Sequence, residues 1–244
     1  LLVILAYKSI MKSTILDKTK LVNSVFSKVY KKYDLMNDIM SLGIHRIWKK
    51  KLIDWMNPQL NDSLIDVASG TGDIAKLFSK KIKNPNRISC VEPNDEMYFA
   101  GKANLKNFKN ITWHKAKAER LPFKNETFDF YTISYGIRNV SDINVSLKEA
   151  LRVLKPGGRF MCLEFSKVNN EMINFLYQNY SKTIPIIGKY IVGSSKPYEY
   201  LIKSINQFYS QKELVNLMEK NGFSNIEYRN LSNGISAIHS GWKI

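Results

Sequence analysis

Asp66, Gly70, Thr71, Gly72 and Glu92 are the residues whose types and spacing point first to chemistry. The run Leu64-Ile65-Asp66-Val67-Ala68-Ser69-Gly70-Thr71-Gly72-Asp73 passes from apolar residues through an acid into small residues and glycines. Ile74-Ala75-Lys76-Leu77-Phe78 then carries a helical pattern. This is a buried strand that ends in a tight turn and opens a helix. Glycine is needed there because the backbone takes dihedrals closed to other residues and must admit a ligand closely. Such turns stand at the carboxyl end of a central strand, where open α/β sheets bind nucleotide-like ligands. An acid about twenty residues further on, at the end of the next strand, is placed to grip ribose hydroxyls. Arg87-Ile88-Ser89-Cys90-Val91 reads as that strand and Glu92 as that acid.

The spacing differs from the dinucleotide fingerprint, because position 75 is Ala75 and not glycine. The order acid-x-small-x-Gly-x-Gly instead resembles nucleoside-binding methyltransferases that use S-adenosylmethionine. That cofactor has no pyrophosphate to cradle, but its amino-acid end needs a close backbone approach.

The elements around the turn alternate. Asn94 is placed to cap a helix through Asn104, and Ile111 to His114 reads as a short third strand. Thr127 to Ser134 forms a fourth strand, and Ser141 or Asp142 caps a helix that presents Ile143, Leu147, Ala150, Leu151 and Leu154 on one face. Lys155-Pro156-Gly157-Gly158 is expected to end that helix before a fifth strand from Arg159 to Phe165. Strands alternating with helices predict a parallel, doubly wound α/β sheet of the Rossmann-like type. Residues 21–57 read as helical and aromatic-rich. Residues 170–205 read as helical but interrupted by Pro185, Gly188, Gly193 and Pro197. A helix from Ser210 to Asn221 is followed by strands at Asn225 to Tyr228 and Ile235 to His239.

The chain of 244 residues reads as one domain. Its parts are an N-terminal extension (1–20), a helical cap (21–60), a cofactor-binding core (61–168), a substrate- or membrane-facing helical insertion (169–205) and a C-terminal helix with strands (206–244). Leu1 to Ala6 is apolar but too short for a membrane span and has no basic segment before it. The first residue is not Met, and Met11 downstream suggests a fragment or a displaced start. Cys90 and Cys162 fall in buried strands, which predicts core packing in a reducing compartment rather than a disulfide. The three histidines show no metal-ligand spacing, so no metal is expected. The net charge is +16, and 30 of the 37 basic residues are lysine. Lysine and asparagine bias accounts for such a charge as well as an anionic membrane or a nucleic acid does.

Further motifs closely resemble the UbiE-type ubiquinone/menaquinone methyltransferases. They are Lys32-Tyr33-Asp34-Leu35-Met36-Asn37-Asp38, Ser41-Leu42-Gly43-Ile44-His45-Arg46-Ile47-Trp48, the turn at Ala68 to Ala75, Ala118 to Phe123, Ile133-Ser134-Tyr135-Gly136-Ile137-Arg138-Asn139-Val140 and Arg152 to Gly158. The ending from Gly234 to Trp242 also resembles that family's C-terminus. The likeness implies a seven-stranded sheet whose last strand is antiparallel. It implies cofactor contacts at Thr71, Glu92, Lys117, Ala118 and Ser134, beside Asp66, Gly70 and Gly72 of the turn. Two positions depart from the family pattern. Glu92 stands where Asp is commoner, which keeps the carboxylate but lengthens its reach. Lys117 stands where Asn or Asp meets the adenine edge, and a lysine cannot accept a hydrogen bond from an adenine amino group.

The resemblance implies C-methylation of a polyprenylated benzoquinol or naphthoquinol ring. A free phenol titrates near pH 10, so the protein must position the ring and stabilise a developing phenolate. Arg138 and Asn139, just after the fourth strand, are the expected catalytic pair. Tyr33 and His45 on the cap are candidates for the opposite wall, although packing explains both equally well. Ile184 to Val192 is a candidate shelter for the isoprenoid tail or a membrane-facing lip. The implied partners are the quinol, an anionic membrane surface and other quinone-biosynthesis enzymes. The implied setting is the inner face of a bacterial cytoplasmic membrane, with the mitochondrial matrix face as the alternative. A nucleic-acid methyltransferase is disfavoured, because Ile133-Ser134-Tyr135-Gly136 supplies neither a cysteine nucleophile nor a proline-aromatic platform.

Overall fold

The computed structural model describes residues 33–82 and 88–244, together with Val22, Ser24 and Ser27. The cap holds α1 (Tyr33–Ser41) and α2 (His45–Met56). The core follows as β1 (Leu64–Val67), α3 (Asp73–Ile82), β2 (Ile88–Val91), α4 (Asp95–Asn104), β3 (Ile111–His114) and β4 (Phe128–Ser134). A 3₁₀ turn at Ile137–Asn139 precedes α5 (Ile143–Val153) and β5 (Leu154–Phe165). The chain then forms α6 (Glu171–Val192), α7 (Lys196–Gln207), α8 (Gln211–Lys220), β6 (Ser224–Leu231) and β7 (Ser236–Trp242).

The seven strands make one sheet in the order β3-β2-β1-β4-β5-β7-β6. β1 to β5 pair in parallel, and β7 runs antiparallel to both β5 and β6. Every residue of β1 and β2 is buried, as befits parallel strands covered on both faces. Alternate side chains feed two cores. Leu64, Phe78, Leu163 and Phe165 pack beneath α2 and α3, while Ile65, Tyr131, Ile133 and Phe160 pack against α5 and α8.

Register sets the level of the site. Val67 lies beside Val91 on one side and Ile133 on the other, so β1, β2 and β4 end together. The strand order reverses between β1 and β4, which opens the crevice where such sheets bind ligands.

Local signals place the helices. Asn94 caps α4 by accepting from the Met97 N–H at 3.1 Å. Asp142, rather than Ser141, caps α5 through the N–H groups of Asn144 and Val145. Ser210 and Glu213 form a reciprocal capping box on α8.

Within residues 33–56, Leu42 and Gly43, both at positive φ, separate α1 from α2. Two expectations are corrected. Lys155-Pro156-Gly157-Gly158 does not lie between helix and strand but is a bulge inside β5. Pairing jumps from Phe128–Leu154 to Phe130–Arg159, and Gly157 and Gly158 exchange backbone hydrogen bonds with Lys243. Pro185 and Gly188 do not interrupt α6, which runs 22 residues to a left-handed Gly193. Packing holds that helix through the missing N–H: Ile184 is fully buried, and a Cβ on Gly188 would collide with the Tyr198 ring. Pro197 sits in the first turn of α7, where its lack of an N–H costs little.

Gly101 shows how closely α4 approaches the glycine turn. A Cβ there would lie 2.6 Å from the Gly70 carbonyl oxygen and against Trp113. Gly101→Ala is therefore expected to destabilise the fold by about 1–3 kcal/mol, measured by denaturant unfolding. A change under about 0.5 kcal/mol would show that the turn can move aside.

Candidate active site

Two turns build the crevice. After β1, Ala68, Gly70 and Gly72 all have positive φ, and after β4 Tyr135 does too. Positive φ at Ala68 and Tyr135 is strained for residues with a Cβ, and such strain concentrates at ligand sites. Gly136 lets the two turns meet, since a Cβ there would lie 2.5 Å from the Ala68 Cβ. Gly72 serves packing rather than lining, because a Cβ on it would strike Leu105.

Glu92 ties the crevice together. One carboxylate oxygen accepts the Gly70 N–H at 2.9 Å and the other accepts the Asn94 N–H at 2.9 Å. Each oxygen keeps further acceptor capacity towards the cavity. Burial raises the Glu92 pKa to about 7 against the pull of those two N–H groups. The cavity, with a free volume of about 760 Å³ including its mouth, is lined by Gly70, Glu92, Met97, Ala118, Tyr135 and Asn139 among others. Lys117 stands exposed at its rim, and Glu119 lines it while accepting the Ser141 N–H.

A second, smaller recess shares Ala68 and Tyr135 with the first and contains Asp66, Thr71 and Ser134. Asp66 Oδ1 accepts the Thr132 hydroxyl at 2.8 Å, while Asp66 Oδ2 and Ser134 Oγ are buried without a partner among the described residues. Burial raises the Asp66 pKa to about 7. Buried polar atoms are normally satisfied, so two orphans in one recess mark a polar ligand.

Asn139 lines the cavity, and its Oδ1 accepts the Tyr200 hydroxyl at 2.9 Å. Arg138 does not line either cavity. Its side chain is 6% exposed, pairs with Glu164, and donates to the Tyr135 carbonyl at 2.8 Å. Its Nε and the second Glu164 oxygen have no partner among the described residues. Burial raises the Glu164 pKa, and the Arg138 charge opposes that rise. His45 is buried beside Ser41, with its pKa lowered to about 4 chiefly by burial and then by Lys49. It is a neutral packing group outside both cavities. The Tyr33 side chain lies outside the described residues. Tyr200 and Glu164 escaped the sequence reading. Glu164 left a signal, a lone acid within an apolar strand, whereas nothing in the spacing points to Tyr200.

The arrangement fits S-adenosylmethionine. Glu92 at the end of β2 faces a nucleoside-sized cavity, and unpaired Asp66 and Ser134 atoms face the recess beside it. Sheet order, glycine turn and acid define the class of S-adenosylmethionine-dependent methyltransferases with a seven-stranded Rossmann-like sheet. Two solved methyltransferases share the fold: one from Thermotoga maritima (TM-score 0.65, 21% identity, covering 91% of this chain and 99% of that one), and one from Aquifex aeolicus (TM-score 0.60, 16% identity, covering 80% and 89%). The model of the ubiE/COQ5 methyltransferase family matches residues 13–243. The chain is 49% identical over 235 residues to the ubiquinone/menaquinone biosynthesis C-methyltransferase UbiE of Rickettsia bellii, covering 93% of this chain and 94% of that protein. It is 50% identical over 238 residues to the same-named protein of Rickettsia prowazekii, covering 93% and 96%. This chain belongs to the ubiE/COQ5 methyltransferase family.

The two raised carboxyls give a pH signature. Their folded pKa values lie above the unfolded ones, so the ligand-free protein holds their protons up to about pH 7, and stability declines as pH rises towards that value. Ligand contacts that need the ionised forms therefore weaken below pH 7. The affinity for S-adenosylhomocysteine is expected to fall by up to about tenfold per pH unit for each group that must ionise. Titration calorimetry between pH 5.5 and 8 checks this, and a flat profile would contradict it.

Proposed function

We propose that this methyltransferase adds a methyl group to a ring carbon of a polyprenylated benzoquinol or naphthoquinol, ortho to a hydroxyl. The activity for which relatives about half identical over nearly the whole chain are named supports this acceptor class. The observation that carries it is Asn139, held by Tyr200 at the cavity wall beside the strained Tyr135. The cofactor supplies an electrophilic methyl group when bound. Transfer of that methyl would form a carbon–carbon bond and break the methyl–sulfur bond. The phenolic oxygen would give up its proton to activate the ring. The methylated carbon would then lose its hydrogen as a proton while the oxygen regains one, so that one proton leaves overall.

The Tyr200 hydroxyl occupies the Asn139 carbonyl oxygen and one amide N–H reaches the Tyr135 carbonyl at 3.5 Å, which leaves the second N–H to meet a ring oxygen. Arg138 stays charged and cannot be a conventional base. It acts instead by holding the Tyr135 carbonyl and by placing a cation behind Asn139 that stabilises phenolate.

A long isoprenoid tail requires delivery from a lipid phase. Met172, Phe175, Leu176, Ile186 and Tyr190 of α6 are all at least 60% exposed. At 3.6 residues per turn they fall within an arc of about 100°, with Lys182 and Lys189 along one side. No helix among the described residues is long and apolar enough to cross a membrane. This face fits peripheral contact with an anionic bilayer, at the cytoplasmic side in a bacterium.

The test presents demethylated quinols in vesicles, with and without anionic lipid, and follows ring methylation by mass spectrometry. Wild-type protein is expected to form product faster on anionic vesicles, with the gain lost at high salt. Arg138→Ala and Asn139→Ala are expected to lower kcat by about 100-fold while S-adenosylhomocysteine affinity stays unchanged. No quinol product despite intact ligand binding would sink the acceptor reading. A lipid-independent rate would sink the membrane reading, and normal turnover of Arg138→Ala would sink the role of Arg138.

A further inference from the structure

Lys49 is an unusual lysine for a helix of the cap. It lies on the core-facing side of α2 with its side chain 8% exposed, and its ammonium bonds Asp73 Oδ2 at 2.6 Å. A buried ammonium is costly unless its donors are met, and three N–H groups are available where the Asp73 bond uses one. Next to it, burial is the largest influence on Asp73 and would raise its pKa, but the Lys49 charge and hydrogen bond, with smaller help from His45 and Arg46, together hold it below the usual carboxylate value. His45 nearby is kept neutral and adds no second cation.

The ammonium opens into the smaller recess. That recess has a free volume of about 310 Å³ and is lined by Lys49, Asp66, Thr71, Asp73, Ser134 and Tyr135, among others. It holds the two orphaned atoms, Asp66 Oδ2 and Ser134 Oγ, and Asp66 is only 1% exposed. The first turn of α3 begins at Asp73, so the positive end of that helix faces the same space. A cation and a helix N-terminus on one side, with an acid short of one donor on the other, form the complement of a zwitterion. The recess is far smaller than the cavity that suits the nucleoside, and its polarity matches the head group of an α-amino acid.

We propose that Lys49 recognises the α-carboxylate at the methionyl end of the cofactor, with Asp66 opposite it taking the α-ammonium. Ser134 Oγ donates its hydroxyl hydrogen to the same carboxylate. Lys49 thus shares its donors between Asp73 and the ligand, and α2 becomes the element that couples the cap to cofactor binding. The assignment rests on the cofactor class alone and stands or falls independently of the quinol reading.

Two ligands separate this role from a structural one. S-Adenosylhomocysteine carries the amino-acid end, whereas 5′-methylthioadenosine has the same nucleoside and thioether without it. Titration calorimetry of both ligands is run on wild type, Lys49→Met and Lys49→Arg. Lys49→Met is expected to weaken S-adenosylhomocysteine by about 10- to 100-fold, the range for losing a charge-assisted hydrogen bond, and to leave methylthioadenosine within about twofold of wild type. Lys49→Arg is expected to retain most of the affinity. Equal losses for the two ligands would show that Lys49 only holds the fold, and an unchanged S-adenosylhomocysteine affinity would show that it makes no contact. A wild-type protein that binds the two ligands equally would overturn the recess assignment as a whole.

Discussion

Two backbone N–H groups, one in the glycine turn after β1 and one at the start of α4, meet on the buried carboxylate of Glu92. The rest of the site depends on this clasp. Gly70 has left-handed dihedrals, and its N–H would otherwise be buried without a partner. Asn94 is the cap of α4, so the same carboxylate also anchors the helix that packs beneath the turn through Gly101. Ser69 adds a second tie: its N–H donates to the Val91 carbonyl and its Oγ accepts the Val91 N–H, both at 3.1 Å. The ends of β1 and β2 therefore move as one unit, with acceptor capacity pointed at the cavity.

Around this clasp the crevice holds strain and uncompensated polarity that a packed core would not tolerate. Ala68 and Tyr135 take positive φ on facing turns, and Gly136 lets them touch. Asp66, Ser134, Arg138 and Glu164 each leave a buried polar atom unpaired among the described residues. Two ion pairs flank the crevice from opposite elements: Arg138–Glu164, buried at both ends, and Lys49–Asp73, whose cation alone is buried. A fully buried pair such as Arg138–Glu164 seldom stabilises a fold beyond what apolar residues would do, so its presence here speaks for ligand chemistry more than for stability.

Those parts of the site that are local in sequence were legible in it. The apolar run before Asp66, the glycines, Glu92 at the end of its strand and the Asn94 cap all follow from short-range patterns, and the structure joins them. Gly72 was read as a cofactor contact because it belongs to the same run, yet its missing Cβ makes room for Leu105. The misread elements fail for tertiary reasons. Pro185 is tolerated because Ile184 and Gly188 are locked by neighbours, and the Lys155 to Gly158 bulge is held by Lys243 from the far end of the chain. Lys49, Glu164 and Tyr200 act across 24, 26 and 61 residues of sequence respectively, on Asp73, Arg138 and Asn139. No periodicity encodes such pairings. Arg138 was found by motif, but its direction, towards Glu164 rather than the cavity, appears only in three dimensions.

The most direct test of the clasp is Glu92→Gln, which keeps the side-chain shape but turns one acceptor into a donor that faces a backbone N–H. Amide hydrogen exchange at Gly70 and Asn94, read together with S-adenosylhomocysteine affinity, reports whether the turn depends on the carboxylate. The account predicts exchange about 10- to 100-fold faster at one or both amides and binding weakened at least about tenfold, in a protein that remains folded. Unchanged protection with unchanged affinity would contradict it.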